Sequence, residues 1–385
     1  MGEEMKKPYS VRIIRNCLML AIASFTTQAC SRSYHYKEIA VPEPVKLSKR
    51  LEAIFAKTKL VCFGRYALKV PQEAQLVWGS IWIPSPVEVF PRGAEARDRL
   101  VQADIAEIKR FERTAEITFE AGEPSAGSHQ IRYFEDKFAK RDGALLFKTY
   151  GERGDFIFVT ADAVSRGETE ELVVGRQAAW AKSLRLRALD EVPDEPGFCG
   201  EHSFIADTRY ERQEMANAGI FLPSLPDVTF SVSSNKKAYR DYPKEEFEKV
   251  WRLKLSLLGR IAAAKADQPG TYPSRDVLRE GKRIVQHWHG EESLFKRRDG
   301  AHDFEWAFVG TPMDVANPSE FHAVMHTKVE HNTVGAAKAA SLSDDEAVAL
   351  FDKLLSGLKF RVKVPGAPEG SYFLPGNKPM QAASK

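Results

Sequence analysis

The sequence predicts an α+β protein made of two tandem, similar domains, each an antiparallel sheet with helices packed on one face. Three observations predict it. First, landmarks recur in the same order in both halves. Cys62 is answered by Cys199, Ile81-Trp-Ile-Pro-Ser85 by Ile220-Phe-Leu-Pro-Ser224, Phe138-Ala-Lys-Arg-Asp-Gly143 by Phe295-Lys-Arg-Arg-Asp-Gly300, and Ser183-Leu-Arg-Leu-Arg187 by Gly357-Leu-Lys-Phe-Arg361. A period this long exceeds the roughly 20–50 residues of solenoid repeats and reads as a duplicated domain. Second, strand-like runs are interrupted by amphipathic helical patterns rather than alternating regularly with them, which favours α+β. Third, residues 189–196, Leu-Asp-Glu-Val-Pro-Asp-Glu-Pro, form an acidic stretch with two prolines, a natural boundary.

Taken in order, residues 1–30 read as a targeting segment. Lys6, Lys7, Arg12 and Arg15 precede a short apolar run from Cys17 to Phe25, and Thr27-Gln-Ala29 leads to Cys30. The run is too short to span a membrane, which takes about 20 apolar residues, but suits a secretory signal. Small Ala29 before a cysteine resembles a bacterial lipobox, which makes Cys30 the lipidation candidate and, with Ser31 behind it, favours the outer membrane. A plain signal peptide is the alternative. Residues 31–57 are polar, with Pro42 and Pro44, and read as a linker holding the body off a membrane.

The first domain is expected over 58–188. Strand-like runs cover Leu60–Val70, Ala74–Ile83 and Val87–Phe90, followed by a helix with Val101, Ile105, Ile108 and Phe111 at helical spacing. Strands return at Gln130–Phe134, Ala144–Tyr150 and Asp155–Ala161. A helix over Thr169–Leu184 then turns Val173, Trp180 and Leu184 inward. The second domain is expected over 197–364. Its strands run near Ser203–Thr208, Gly219–Phe221, Val228–Ser233, Arg283–His289, Phe304–Val309 and His322–Glu330. Pro243 opens a helix carrying Phe247, Val250, Trp251, Leu255 and Leu258. Ser343 and Glu346 form a capping box ahead of Ala347, Leu350, Phe351, Leu354 and Leu358. Residues 365–385, rich in Pro and Gly, read as a flexible tail.

Composition is that of an ordinary folded body: 43% hydrophobic, 28% charged, net charge +3 over 385 residues. The basic excess sits partly in the targeting segment and lacks the clustering that nucleic-acid binding needs. Cys62 and Cys199 are the cysteines left once Cys17 and Cys30 are set aside. In an oxidising compartment they either bridge domain to domain or remain two buried thiols.

Catalytic signatures are missing. No Gly-x-Ser-x-Gly elbow presents a nucleophile and no Gly-rich phosphate loop precedes a helix, so neither catalytic nor cofactor-binding residues are assigned. His287-Trp-His289, with Glu291, Glu292 and His322, His326 or His331 as further donors, is the sharpest metal-like cluster, but zinc-ligand spacing is absent and no metal site is assigned. A solvent-side strand face for His287 and His289, with Ile284 and Trp288 packed or partly packed, is the favoured alternative. Lys140, Arg141, Asp142 and Arg297, Arg298, Asp299 are read as hairpin tips made by Asp-Gly, or as a charged contact edge. Trp78 and Trp82, four apart on one strand, are expected on one face, in the core rather than as exposed interface aromatics.

Cys62-Phe-Gly-Arg-Tyr66 with Val70-Pro71, followed by Gly197-Phe-Cys199 opening a second domain, resembles the type VI secretion lipase-immunity family, the two-domain cognate immunity partners of the fourth class of type VI lipase effectors. The likeness covers nearly all of 58–363, including Phe308-Val-Gly310 and Leu358-Lys-Phe-Arg361. It implies a periplasmic or lipid-anchored, non-enzymatic protein that binds an incoming phospholipase and blocks it by occluding its active site or lid. No catalytic residue is implied, and none of the partner-binding residues transfers. The rival readings are an envelope lipoprotein holding another protein or small ligand, and a zinc-dependent periplasmic hydrolase.

Overall fold

The computed structural model describes residues 43, 45–91, 96–111, 114–123, 128–329 and 337–373. The targeting segment with Cys30, residues 31–42 and 44 of the polar linker, His331 and the last twelve residues lie outside this set.

Each half follows one plan. In the first, the hairpin β1 (Thr58–Phe63) and β2 (Tyr66–Pro71) is followed by β3 (Gln75–Trp82) and β4 (Val87–Pro91). After it come a helix (Ala96–Phe111), a meander β5 (Glu116–Glu123), β6 (Ser128–Phe134), β7 (Leu146–Arg153) and β8 (Phe156–Ala163), a second helix (Glu170–Ser183), and short β9 (Leu184–Leu186). The second half repeats the series. Its hairpin is β10 (Gly197–Gly200) and β11 (Ser203–Ala206), then β12 (Met215–Phe221) and β13 (Thr229–Asn235). A helix (Leu257–Asp267) precedes the meander β14 (Asp276–Val285), β15 (Trp288–Lys296), β16 (His302–Phe308) and β17 (Glu320–His326). A last helix (Asp344–Ser356) leads into β18 (Leu358–Phe360).

The sheets show the repeat and the strands exchanged between its halves. The first half makes a five-stranded sheet, β4-β8-β7-β6-β5. The second makes β14-β15-β16-β17-β13-β12, and β3 of the first half joins its end as the seventh strand. The two small sheets are traded. β18 pairs with β2, and β9 pairs with β11, so the closing strand of each half completes the hairpin of the other. The halves are thereby woven into one body with a large shared core, from Leu51 and Phe63 through Phe230 and Trp306 to Phe351.

Helices cover both faces of each of the two large sheets, not one. In the five-stranded sheet, Tyr150 donates to Asp104 of the Ala96–Phe111 helix at 2.5 Å. Neighbouring Gly151, on the opposite face by the two-residue strand period, lies against Trp180 and Leu184. In the seven-stranded sheet Glu292 faces the last helix through Arg279 and Asp352, while Glu291 accepts from Leu258 N–H at 2.8 Å on the other side. Strands buried on both faces lose clean alternation: Phe147, Thr149, Tyr150 and Gly151 are all buried.

The last helix forms where its capping box lies. Ser343 accepts from Glu346 N–H, and Glu346 returns the bond. Its predicted face is buried, and so are Val348, Ala349, Asp352 and Leu355. The reason is the segment read as a linker. From Val45 it packs on this helix: Val45 N–H donates to Asp352, Ser48 to Glu346 at 2.7 Å, Arg50 to the Ser341 carbonyl, and a short helix (Lys49–Ile54) buries Leu51. The spacer reading for 31–57 is therefore corrected from Val45 onward. The tail is corrected likewise as far as Phe373. Phe373 N–H donates to the Phe360 carbonyl, Lys359 to that of Gly370, and Ala367 and Ser371 are buried.

The helix expected from Pro243 is broken. Lys244–Glu246, a π turn at Phe247–Trp251 and Arg252–Leu255 stop at extended Ser256, whose hydroxyl caps Leu257–Asp267 through Gly259 N–H. Val250 is consequently exposed while Leu258 is buried. Among the described residues, no helix is long and apolar enough to cross a membrane.

Candidate functional site

The residues singled out by the repeat meet at the junction of the two halves. Cys62 and Cys199 are joined by a disulfide, with Cα atoms 6.0 Å apart and a sequence separation of 137. Two residues after Cys62, Gly64 exchanges both backbone hydrogen bonds with Cys199 at 2.8 Å. Gly64 has φ +53°, and a Cβ there would stand 2.6 Å from the Ala216 Cβ, so only glycine lets the hairpins meet.

Buried arginines close the junction. Arg65 reaches Glu214 with two nitrogens (2.7 and 2.8 Å) and Asp207 at 2.9 Å, and Lys236 joins Glu214 at 3.1 Å. The two repeat-closing arginines act alike, through carbonyls. Arg187 donates to Glu191, Gly200 and Ser203 oxygens at 2.7, 2.9 and 3.2 Å. Arg361 donates to those of Pro193, Glu195 and Gly197. Burial pulls both down to about 10, which leaves them charged at neutral pH. The acidic 189–196 stretch is thus gripped from both halves, and Arg185 adds ion pairs to Glu191 and Glu195. Sequence reasoning missed these arginines as a pair, although Arg187 and Arg361 stand at matched ends of the last repeated landmark.

The histidine pair does not form a site. β14 ends at Val285 and the chain turns at Gln286 (φ +56°) and His287, so His287 lies in a hairpin turn and only His289 is on a strand. The shared-face premise fails for that reason. His287 Nε2 meets the Ala316 carbonyl at 2.9 Å, and burial lowers its pKa. Trp288 is fully buried and donates to the same carbonyl, while Ile284, expected to pack, is 57% exposed. His326 contacts Asp303 at 2.9 Å. No three His, Cys, Asp or Glu side chains among the described residues gather as metal ligands would. His302 lies between Thr327 (Nδ1, 2.9 Å) and Asp344 (Nε2, 2.9 Å), a hydroxyl–imidazole–carboxylate series. Its hydroxyl is buried, so no substrate can approach it.

The repeated Asp-Gly turns part company. Arg297–Gly300 makes the β15–β16 hairpin, but Lys137–Asp142 is a short helix capped by Asp136 and ended by left-handed Gly143. Asp136 before the motif provides the cap, and Phe138 is left exposed. The tryptophans part as well. A bulge opposite Ala216 and Ala218 pairs Trp78 with core-facing Ala218 and Trp82 with Met215 on the outer side. Arg187 sits 5.5 Å over the Trp78 ring.

Among the described residues, a groove and a sheet edge lie open to a partner. The groove, of about 370 Å³, lies between the Leu257–Asp267 helix and the outer face of β15–β17. There Arg275 lies between Tyr272 and Phe295, 4.5 and 4.2 Å from their rings, and Arg260 pairs with Glu305. The other is β3, the end strand of the seven-stranded sheet, where Val77 is 54% exposed.

Comparison with known proteins places this architecture. Residues 59–187 match the model of the Tle cognate immunity protein 4 N-terminal domain, and 191–363 that of the C-terminal domain. Among solved structures, apo TplEi, an immunity protein of the type VI secretion system of Pseudomonas aeruginosa, is similar at 22% identity and TM-score 0.61, covering 79% of this chain and 97% of that one. TplEi complexed with "L" peptide is similar at 22% identity and TM-score 0.59, covering 79% and 98%. A chain of the Tle4–Tli4 complex is similar at 23% identity and TM-score 0.60, covering 80% and 98%. No protein among the curated ones compared matches. With both domain models matched in order over more than half its length, the chain belongs to the Tle cognate immunity protein 4 family.

Proposed function

We propose that this protein neutralises a type VI secretion phospholipase in the periplasm by binding it and covering its active site or lid. The observation that carries the reading is the family match over both domains, supported by a similar fold in a solved Tle4–Tli4 complex. Occlusion needs no acid, base or nucleophile. It needs a rigid surface of roughly 800 Å² per partner, and a body whose halves exchange strands is rigid in the required sense. The junction also bears on how the partner is held. Two lobes on a free linker would close like a clamp, whereas here the linker is gripped by Arg187 and Arg361 and β3 is shared. Binding thus uses a preformed surface, which spares the ordering cost of closure.

In the same reading the protein is exported, the Cys62–Cys199 bridge forms in the oxidising periplasm, and Cys30 carries the lipid that holds the body at the outer membrane. Domain limits of 58–188 and 197–364 describe the two copies, with β3, β9 and β18 exchanged between them.

The test is to mix the purified protein with the type VI phospholipase of the same organism and to follow lipid hydrolysis. A stoichiometric complex with activity abolished is expected. Full hydrolysis with no complex refutes the reading. Labelled fatty acid on the wild-type protein but not on Cys30→Ala checks the anchor.

A further inference from the structure

We propose that the free edge of β3 is where one extended, uncharged segment of the phospholipase docks, adding a strand to the seven-stranded sheet. The inference rests on the effector-binding reading above and assigns it a place.

An edge strand presents unpaired N–H and C=O groups to any extended chain, and proteins guard such edges with charges or proline. The other edges of the two large sheets are guarded. β14 carries Asp276, Arg279, Glu280, Lys282 and Arg283; β5 carries Glu116, Glu120 and Glu123; β4 carries Glu88 and Pro91. β3, Gln-Leu-Val-Trp-Gly-Ser-Ile-Trp, has eight residues with no charge and no proline. Among the described residues no strand pairs with its outer side. Gln75, Val77, Gly79 and Ser80 are exposed along it.

The repeat shows what is missing. In the second half β12 pairs with β13 along seven residues. β3 and β4 are their counterparts, yet pairing between them stops at a single bridge, Trp82 to Pro86. From there β4 leads into the five-stranded sheet. The place beside β3 that β13 takes beside β12 is therefore open.

The chemistry of the edge selects the occupant. Unpaired backbone groups flanked by uncharged side chains call for an extended, uncharged polypeptide. Along Gln75–Ile81 no described strand lies beside this edge, and one extended segment matches that length.

Hydrogen exchange on the full chain, alone and with the phospholipase, tests this. In an added strand, alternate residues point their N–H groups to the new neighbour. Alternate β3 amides should therefore slow by about tenfold or more in the complex, with β14 unchanged. Val77→Lys guards the edge without entering the core; it should weaken inhibition about tenfold at an unchanged thermal midpoint. An inhibited complex without slowing on β3, or with uniform rather than alternate slowing, overturns the proposal and leaves the effector reading intact. Slowing that grows with the concentration of this chain alone assigns the edge to self-association and also overturns it. Absence of any complex removes the effector reading itself.

Discussion

Removing the Cys62–Cys199 bridge is the most informative perturbation of this fold. The bridge closes 137 residues, more than a third of the chain. In the chain-entropy treatment a crosslink over a loop of that size takes about 5 kcal/mol from the unfolded ensemble at 25 °C. Both sulfurs are buried, at 1% and 0% exposure, so alanine at each position adds a small cavity cost and no unpaired polar group. Native interactions that remain include the paired backbones of Gly64 and Cys199 and the carbonyls gripped by Arg361. Cys62→Ala/Cys199→Ala should therefore fold, with unfolding free energy lower by about 3–5 kcal/mol. Guanidinium denaturation followed by tryptophan fluorescence measures it, against the wild type with and without reductant. The reduced wild type should approach the double variant, and reductant should not move the variant. A loss below about 0.5 kcal/mol, the size of a neutral surface change, would refute the reasoning.

Other outcomes follow from the same junction and its surroundings. Gly64→Ala should cost about 3 kcal/mol, since a left-handed residue gains a Cβ that collides with Ala216; the denaturation midpoint reads it. Arg361→Met strands the carbonyls of Pro193, Glu195 and Gly197 inside the protein and should lower stability by about 3 kcal/mol. Arg361→Lys should restore only part of this, because one ammonium cannot span all three. Acid should destabilise the fold. Arg176 holds Glu168 down to about 2, Lys296 and His302 depress Asp344, and Ser48 depresses Glu346. Each contributes stability above its unfolded value near 4 and loses it as pH falls through the folded value, so thermal midpoints should drop between about pH 4.5 and pH 2. A flat midpoint over that window would contradict the assignment.

What was readable in the sequence is local. The Ser343–Glu346 cap, the buried stripe from Ala347 to Leu358, the inward Val173 and Trp180, and the duplicated plan all depend on neighbours a few residues away or on internal comparison. So did the matched Arg187 and Arg361, had their shared position been taken as a signal. Failures came where a distant partner decides. Trp78 and Trp82 share a face at period two, until a bulge in the pairing of β3 with β12 separates them. Residues 45–57 and 365–373 look like linker and tail by composition, yet Ser48 bonds to Glu346 of the last helix and Phe373 packs on the Cys62, Ala67 and Cys199 cluster. His287 fits a strand by its pattern, yet the chain turns there. The two halves, alike in sequence plan, trade their closing strands and leave β3 in the other half's sheet. Local propensity is equally satisfied by a strand returning to its own hairpin or to its twin's. That choice belongs to the packing of the whole, and only the tertiary structure made it.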